Sequence, residues 1–370
     1  MDDLLYRLKN EDELLSPALI YYKDLIERNT QLAIEMAGSP ERLWPHVKSH
    51  KTAELIRLQM GMGIDRFKCA TIMEVAMVAS CGAGHILLAY PLVGPNIARF
   101  LAVTARFPAT HFYVLGDDIA ALSQLNDACR EQGRTFDLFV DVNLGMNRTG
   151  VPLRELLAFT RQAAAFSHLS LVGFHCYDGH NHERDLAERK AAVESQMAQV
   201  EQVRTALRQE GIRTPLIISG GSPSFPCHLA EAESFLSPGT LFLWDWGYQQ
   251  NLPDLKFTPA AVLMTRVISH PDKGIFTLDL GYKAIASDPP GDRGLLLGVP
   301  GAKPLFQSEE HWVWAMPEGK EDDRPPIGKV LYVIPTHICP SSALYRAVKV
   351  ATSAERIASE EWAVAARNRD

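Results

Sequence analysis

Along the first two thirds of the chain, apolar residues fall in short β-rich runs, each followed by a longer stretch with helix-like spacing of apolar and polar positions. The runs lie at 18–22, 44–48, 67–70, 86–90, 112–115, 138–142, 169–175, 216–219 and 241–243. The intervening segments 24–36, 52–60, 73–79, 96–105, 117–131, 153–164, 184–209 and 228–234 read as helices. Strands alternating with helices predict βαβ units on a parallel sheet. Eight or so such units in about 240 residues fit a closed (β/α)8 barrel. An open doubly wound sheet is the alternative, weakened because no G-x-G-x-x-G follows the first run.

Past residue 255 the pattern changes. The segments 260–269, 274–279 and 329–335 are β-rich and are separated by Pro- and Gly-rich turns, and helical spacing returns only at Ala343. The expected fold class is therefore α/β: a (β/α)8 barrel over 16–250 and a C-terminal, mostly β domain over 255–370. Residues 1–15 form a segment able to pack on the latter.

Composition narrows the function classes. Of 370 residues, 46% are apolar and 22% charged, as in an ordinary globular protein. The 37 basic and 44 acidic residues give a net charge of −7, which argues against nucleic acid as a partner. No apolar run approaches the ~20 residues needed to span a bilayer. Met1 to Asp12 lacks the apolar core of a signal peptide. Six scattered cysteines without a C-x-x-C pair read as reduced thiols. A cytoplasmic protein with a small-molecule substrate is expected, with no nucleic acid or membrane partner.

Barrel enzymes place their chemistry at the C-terminal ends of strands. After the second run comes His46-Val47-Lys48-Ser49-His50-Lys51. Alternation along a strand would put His46, Lys48 and His50 on one face. A lysine desolvated in a barrel mouth near other cations is a usable Schiff-base amine. A basic loop at a strand end is the plain alternative. After the sixth run, Arg148 sits between glycines in 141–150, and after the seventh come Tyr177 and His180. An aromatic at such a position can cover a planar ring, and the histidine is within reach of the same pocket. Ser219-Gly220-Gly221-Ser222, followed by Gly239-Thr240, offers backbone N–H groups and hydroxyls of the kind that cradle phosphate. In the β-rich region, His337 and Cys339 stand at i and i+2 and could share one metal ion. Imidazole with thiolate favours zinc.

Taken together these segments resemble the fold-type III pyridoxal phosphate enzymes. The 141–151 segment is similar to a turn of alanine-racemase-type barrels. The 44–51, 337–340 and 279–283 segments, the last with Ser287 and Asp288, resemble the metal-dependent branch of D-threonine aldolases and D-serine dehydratases. The match runs from about Ser16 to Tyr345. The resemblance implies a pyridoxal 5'-phosphate barrel, usually in a homodimer, with Lys48 as the Schiff-base lysine. It further implies that Arg148 and Tyr177 line the cofactor ring, that Ser219, Gly220, Gly221, Ser222, Gly239 and Thr240 hold its phosphate, and that His337 and Cys339 bind a divalent metal. Zinc is favoured for that metal, with manganese or magnesium as alternatives. Where racemases carry an Arg at the pyridine nitrogen, Ser237 stands here, and their second-domain catalytic tyrosine is not evident. The function implied is cleavage of β-hydroxy-D-amino acids to glycine and an aldehyde, with His180 as the proton acceptor. The alternatives are D-serine or D-threo-3-hydroxyaspartate dehydratase activity and, behind both, a non-catalytic cofactor-binding protein.

Overall fold

The structure, a computed structural model, describes residues 3–231 and 234–369; residues 232–233 of the expected helix 228–234, the first two residues and Asp370 lie outside the described residues. The chain divides into two compact units. One comprises residues 33–48 and 55–239 with the last residues of the chain, and the other residues 1–32, 49–54 and 240–367.

In the first unit, seven parallel strands follow one another in the order Arg66–Cys69, His85–Leu88, His111–Gly116, Phe136–Asn143, Leu169–Cys176, Leu216–Ser219, Ser234–Leu236. Both outer strands reach the same segment. Leu43 bridges Leu236, and His46 bridges Lys68. The Trp44 N–H donates to Leu236 O at 2.7 Å, and the Lys68 N–H donates to Pro45 O at 2.8 Å. The sheet thus closes into a barrel, with 43–46 as its eighth stave. This stave is too irregular for a ladder because Pro45 has no N–H to give.

Two further expected strands differ, and one barrel strand is additional. The 18–22 run is a strand, but it pairs with Ala261–Ser269 and Ala347–Ala351 in the other unit. It is buried on both faces, so its pattern fixes its type but not its sheet. The 241–243 run forms no strand; its first two residues belong to the 3-10 turn Thr240–Phe242. The last barrel strand, Ser234–Leu236, is too short to show alternation in the sequence.

The barrel interior is built around Trp44. Its ring makes edge contacts with Tyr113, Phe139 and Phe235 at centroid distances of 5.1, 6.1 and 5.4 Å. Its indole N–H donates to Phe67 O at 2.7 Å. Leu87, Leu115 and Ile218 complete the same buried cluster. Aromatic edge contacts add to area burial, and a buried indole N–H needs its acceptor.

In the second unit, Ala261–Ser269 is the hub. It pairs antiparallel with Ala18–Tyr22, Ile275–Leu278 and Val330–Pro335. Asp279 ties the hub to the chain start: Thr265 Oγ1, Arg266 N and Ser16 Oγ donate to its carboxylate at 2.6, 2.8 and 2.5 Å. Strand Val330–Pro335 leads directly to His337, which opens the short helix Ile338–Leu344. Among the described residues, no helix is long and apolar enough to cross a membrane.

Replacing Trp44 with Ala should cost about 3–5 kcal/mol, the range for emptying a large aromatic site in a packed core. Trp44→Phe should cost less, losing only part of the ring and the bond to Phe67. Urea unfolding measures both; a loss under ~1 kcal/mol for Trp44→Ala, the level of an ordinary substitution, would show that the barrel interior does not depend on this ring.

Candidate active site

A cavity of about 490 Å³ opens at the C-terminal ends of the barrel strands, the end where such barrels bind ligands. Lys48, Lys68, Arg148, His46, His175 and Tyr177 are part of its polar lining, with Thr149 and Tyr90, and none of the residues lining it is a carboxylate. The Tyr177 ring is the common neighbour. Arg148 Cζ, Lys68 Nζ and Lys48 Nζ lie 4.7, 5.5 and 5.7 Å from its centroid, within cation–π range. Two glycines make room for the ring. A Cβ at Gly179 would fall 2.2 Å from the Tyr177 hydroxyl, and one at Gly221 would fall 3.0 Å from Cε2.

Lys48 reaches this cavity from a 3-10 turn, Val47–Ser49, and not from an extended strand. The expected shared face of His46, Lys48 and His50 is therefore not formed. His50 belongs to the other unit, where its Nδ1 accepts from Thr52 N at 3.1 Å. Arg148 is aimed by its own loop: Asn143 Oδ1 accepts from Gly145 N and Asn147 N at 3.0 and 3.1 Å. Gly150 N then donates to Asp117 Oδ2 at 2.7 Å.

Sequence reasoning missed a buried relay. Lys68 Nζ lies 3.3 Å from His175 Nε2, and His175 Nδ1 lies 2.7 Å from Asp141 Oδ1. Burial, reinforced by the positive charge of Lys48, pushes the Lys68 ammonium down to about 7, although Asp141 opposes the shift. Burial and Lys68 also lower His175. Asp141 goes the other way: burial would raise it, but the hydrogen bond and charge of His175 hold it below its ordinary value. These directions fit an ionised Asp141 accepting from a neutral His175, whose free Nε2 accepts from Lys68. The signal was in the sequence: each of the three is a titratable residue inside an apolar run near a strand's C-terminal end.

Ser219 and Ser237, at the ends of the last two strands, are buried, and neither hydroxyl has a hydrogen-bond partner among the described residues. Orphaned buried hydroxyls of this kind require partners, which the polar groups of a bound phosphorylated ligand would supply. The glycine amides are different from expectation. The Gly220 N–H donates to Cys176 O and the Gly221 N–H to Ser224 Oγ, both at 3.1 Å. They are used to shape the loop and are not exposed. The Gly239 N–H donates to Ser222 Oγ at 3.3 Å. His180 does not line the cavity: its Nε2 lies 3.3 Å from Gln196 Nε2, and its Nδ1 is enclosed.

In the β-rich unit, His337 and Cys339 do meet. Burial alone would lower the imidazole, but the hydrogen bond and charge of Cys339, with Asp245 and Asp288, raise it to about 9. Burial would raise the Cys339 thiol, but His337 and Thr240 bring it below its ordinary value. Thr240 Oγ1 is 3.2 Å from Cys339 Sγ, and Asp288 Oδ2 is 3.2 Å from His337 Nδ1. An easily ionised thiol beside an imidazole is a fitting donor pair for a borderline-soft cation. Among the described residues, no group of three or more His, Cys, Asp or Glu is arranged to close a metal shell.

Comparison with known proteins places these features in a family. Residues 23–243 match the alanine racemase N-terminal domain, and residues 260–351 match a serine dehydratase domain. A D-threonine aldolase from an Arthrobacter species is 27% identical over 332 residues, covering 88% of this chain and 85% of that protein. The crystal structure of D-threonine aldolase from Filomicrobium marinum superposes with a TM-score of 0.88 at 27% identity, covering 96% of both chains. D-threo-3-hydroxyaspartate dehydratase from Delftia sp. HT23 shares the fold, with a TM-score of 0.82 at 23% identity over 98% of this chain and 99% of that one. A cysteine-to-alanine variant of that dehydratase has been solved in a metal-free form. By the match over 23–243 and the fold, the chain belongs to the alanine racemase N-terminal domain family of fold-type III pyridoxal phosphate proteins.

Proposed function

We propose that the protein is a pyridoxal phosphate- and metal-dependent lyase that cleaves β-hydroxy-D-amino acids to glycine and an aldehyde, acting as a cytoplasmic homodimer. The observation that carries this reading is a barrel-mouth cavity in which Lys48, Lys68 and Arg148 surround Tyr177 with no carboxylate in the lining. Such a cavity favours a ligand with several negative charges and a flat ring. When bound, the cofactor supplies the electron sink for the pair left at Cα.

The chain's own residues divide the remaining work. The Lys48 amine would hold the cofactor covalently. Arg148 and Tyr177 would border its ring, the hydroxyls of Ser219 and Ser222 would take its phosphate, and Ser237 would stand at its pyridine nitrogen. His337 and Cys339 would hold a divalent cation, zinc by the softness of the pair, able to acidify the substrate β-hydroxyl. Between Lys68 and His180 as acceptors of the hydroxyl proton, Lys68 lines the cavity, and its lowered basicity suits transfer near neutral pH. His180 would first have to leave its contact with Gln196.

A second reading is favoured by one residue. Cys339 is the partner of His337, and a similar dehydratase has a cysteine variant described as metal-free. In a dehydratase, Lys48 would take the α-proton and the β-hydroxyl would leave, giving a keto acid and ammonia. Incubation with D-threonine, D-serine and D-threo-3-hydroxyaspartate, scored for glycine and aldehyde against keto acid and ammonia, decides between them. Glycine with aldehyde is expected; no turnover of any of the three would reduce the protein to a cofactor carrier.

His337→Ala or Cys339→Ala should remove bound metal, read by elemental analysis, and turnover together, while cofactor absorbance is retained. Full activity in a chelated, metal-free preparation would contradict the metal role. The relay makes a prediction of its own. Lys68 has a folded pKa of about 7 against 10.5 when free. Its depressed value makes folding more favourable at high pH, a contribution lost as pH falls from about 10.5 through about 7. Lys68→Met should therefore stabilise the cofactor-free protein most below about pH 7, with the gain shrinking towards pH 10. Urea unfolding at a series of pH values measures this; a pH-independent difference would show that Lys68 is not held neutral.

A further inference from the structure

Behind the Ser219–Ser222 loop lies a second buried cluster that the proposed chemistry does not use. Asp178 Oδ1 accepts from Ser224 Oγ at 2.5 Å, and Asp178 Oδ2 accepts from His228 Nε2 at 2.8 Å. All three residues are fully buried. The trio has the membership of a hydrolytic triad but not its order. Such a triad runs from serine to histidine to carboxylate. Here the carboxylate sits in the middle and bonds both of the others, and full burial keeps any substrate away.

What the cluster does touch is the loop. Ser224 Oγ, while donating to Asp178, accepts from the Gly221 N–H at 3.1 Å. Gly220 has φ +79, and a Cβ there would fall 3.1 Å from His228 Cδ2 and 3.3 Å from Ser224 Oγ. The loop backbone is thus pressed onto the serine and the histidine and bonded to the former. Asp178 is also the residue between Tyr177 and Gly179, so the same carboxylate anchors the chain that carries the Tyr177 ring past Gly221. Ser224 donates its one O–H to Asp178 and so has only lone pairs left for the Gly221 N–H. Charge-assisted bonds of this kind are stronger than neutral ones.

We propose that Asp178, Ser224 and His228 form a buried lock that holds the Ser219–Ser222 loop in the shape that takes a phosphate, making them positioning residues for the phosphorylated cofactor. The proposal rests on the phosphate reading of that loop. Preorganising a binding loop strengthens binding by removing the cost of ordering it at the moment of contact. The benefit falls on ligands that carry the phosphate and not on those that lack it.

The experiment measures binding to the cofactor-free full chain by fluorescence quenching, with pyridoxal 5'-phosphate and with pyridoxal as probes. Wild-type protein should prefer the phosphorylated form. Ser224→Ala should weaken pyridoxal phosphate binding about tenfold, the loss of one charge-assisted bond network, and change pyridoxal binding less than about twofold. His228→Leu should do the same. His228→Gln, which keeps a side-chain N–H that can reach Asp178, should restore most of the preference, a rescue that general damage to the fold would not show. If Ser224→Ala and His228→Leu keep the full wild-type preference, or lose both probes equally, the lock is overturned and the phosphate loop stands. If wild-type protein itself shows no preference, the phosphate reading falls, and the lock with it.

Discussion

Barrel closure through residues 43–46 is the constraint on which the site depends. One irregular stave bonds the first and last strands of the parallel sheet, and the Trp44 ring fills the interior beneath it. A closed parallel sheet has no edge to protect, but closure also fixes where the next residues go. Pro45 ends the possibility of a regular ladder, the chain tightens into the turn Val47–Ser49, and Lys48 is delivered to the mouth. The position of the proposed covalent amine is thus a consequence of packing two to four residues upstream. Rigid support of this kind is what a reactive group needs to keep its geometry.

The mouth carries a second constraint, electrostatic in origin. The chain has a net charge of −7, yet its cavity gathers Lys48, Lys68 and Arg148 around one tyrosine ring. Cations forced together in a low-dielectric space weaken one another's hold on protons. Asp141 offsets part of that cost through His175, and Lys68 stays poised between its two charge states. Local charge, not net charge, decides what this cavity can bind, so an acidic protein can still present an anion receptor. The paired His337 and Cys339 in the β-rich unit show the same logic with opposite partners: each ionised form favours the other.

Much of this was legible in the sequence, and the rest was hidden for identifiable reasons. The alternation of runs and helices predicted the barrel, because period-two and 3.6-residue patterns are local. Which sheet the 18–22 strand joins was not legible, because pairing partners are set by contacts some 240 residues away, as with Ile20 and Val262. The stave Ser234–Leu236 is three residues long and carries no period. At the site, Lys48, Arg148 and Tyr177 share the cavity that their strand-end positions suggested. Lys68, His175 and Asp141 went unnoticed because each sits in a run read only for its apolar neighbours. The amides of Gly220 and Gly221 looked available for phosphate until their acceptors, Cys176 O and Ser224 Oγ, were seen.

Two lysines share the cavity, and only one can be the covalent amine. The decisive measurement is borohydride reduction of the cofactor-loaded protein followed by peptide mass mapping of the pyridoxyl group. The label is expected on the peptide containing Lys48, with Lys68 unmodified. A label on Lys68, or on Lys51 in the other unit, would contradict the assignment of the reactive amine and with it the arrangement of roles around Tyr177.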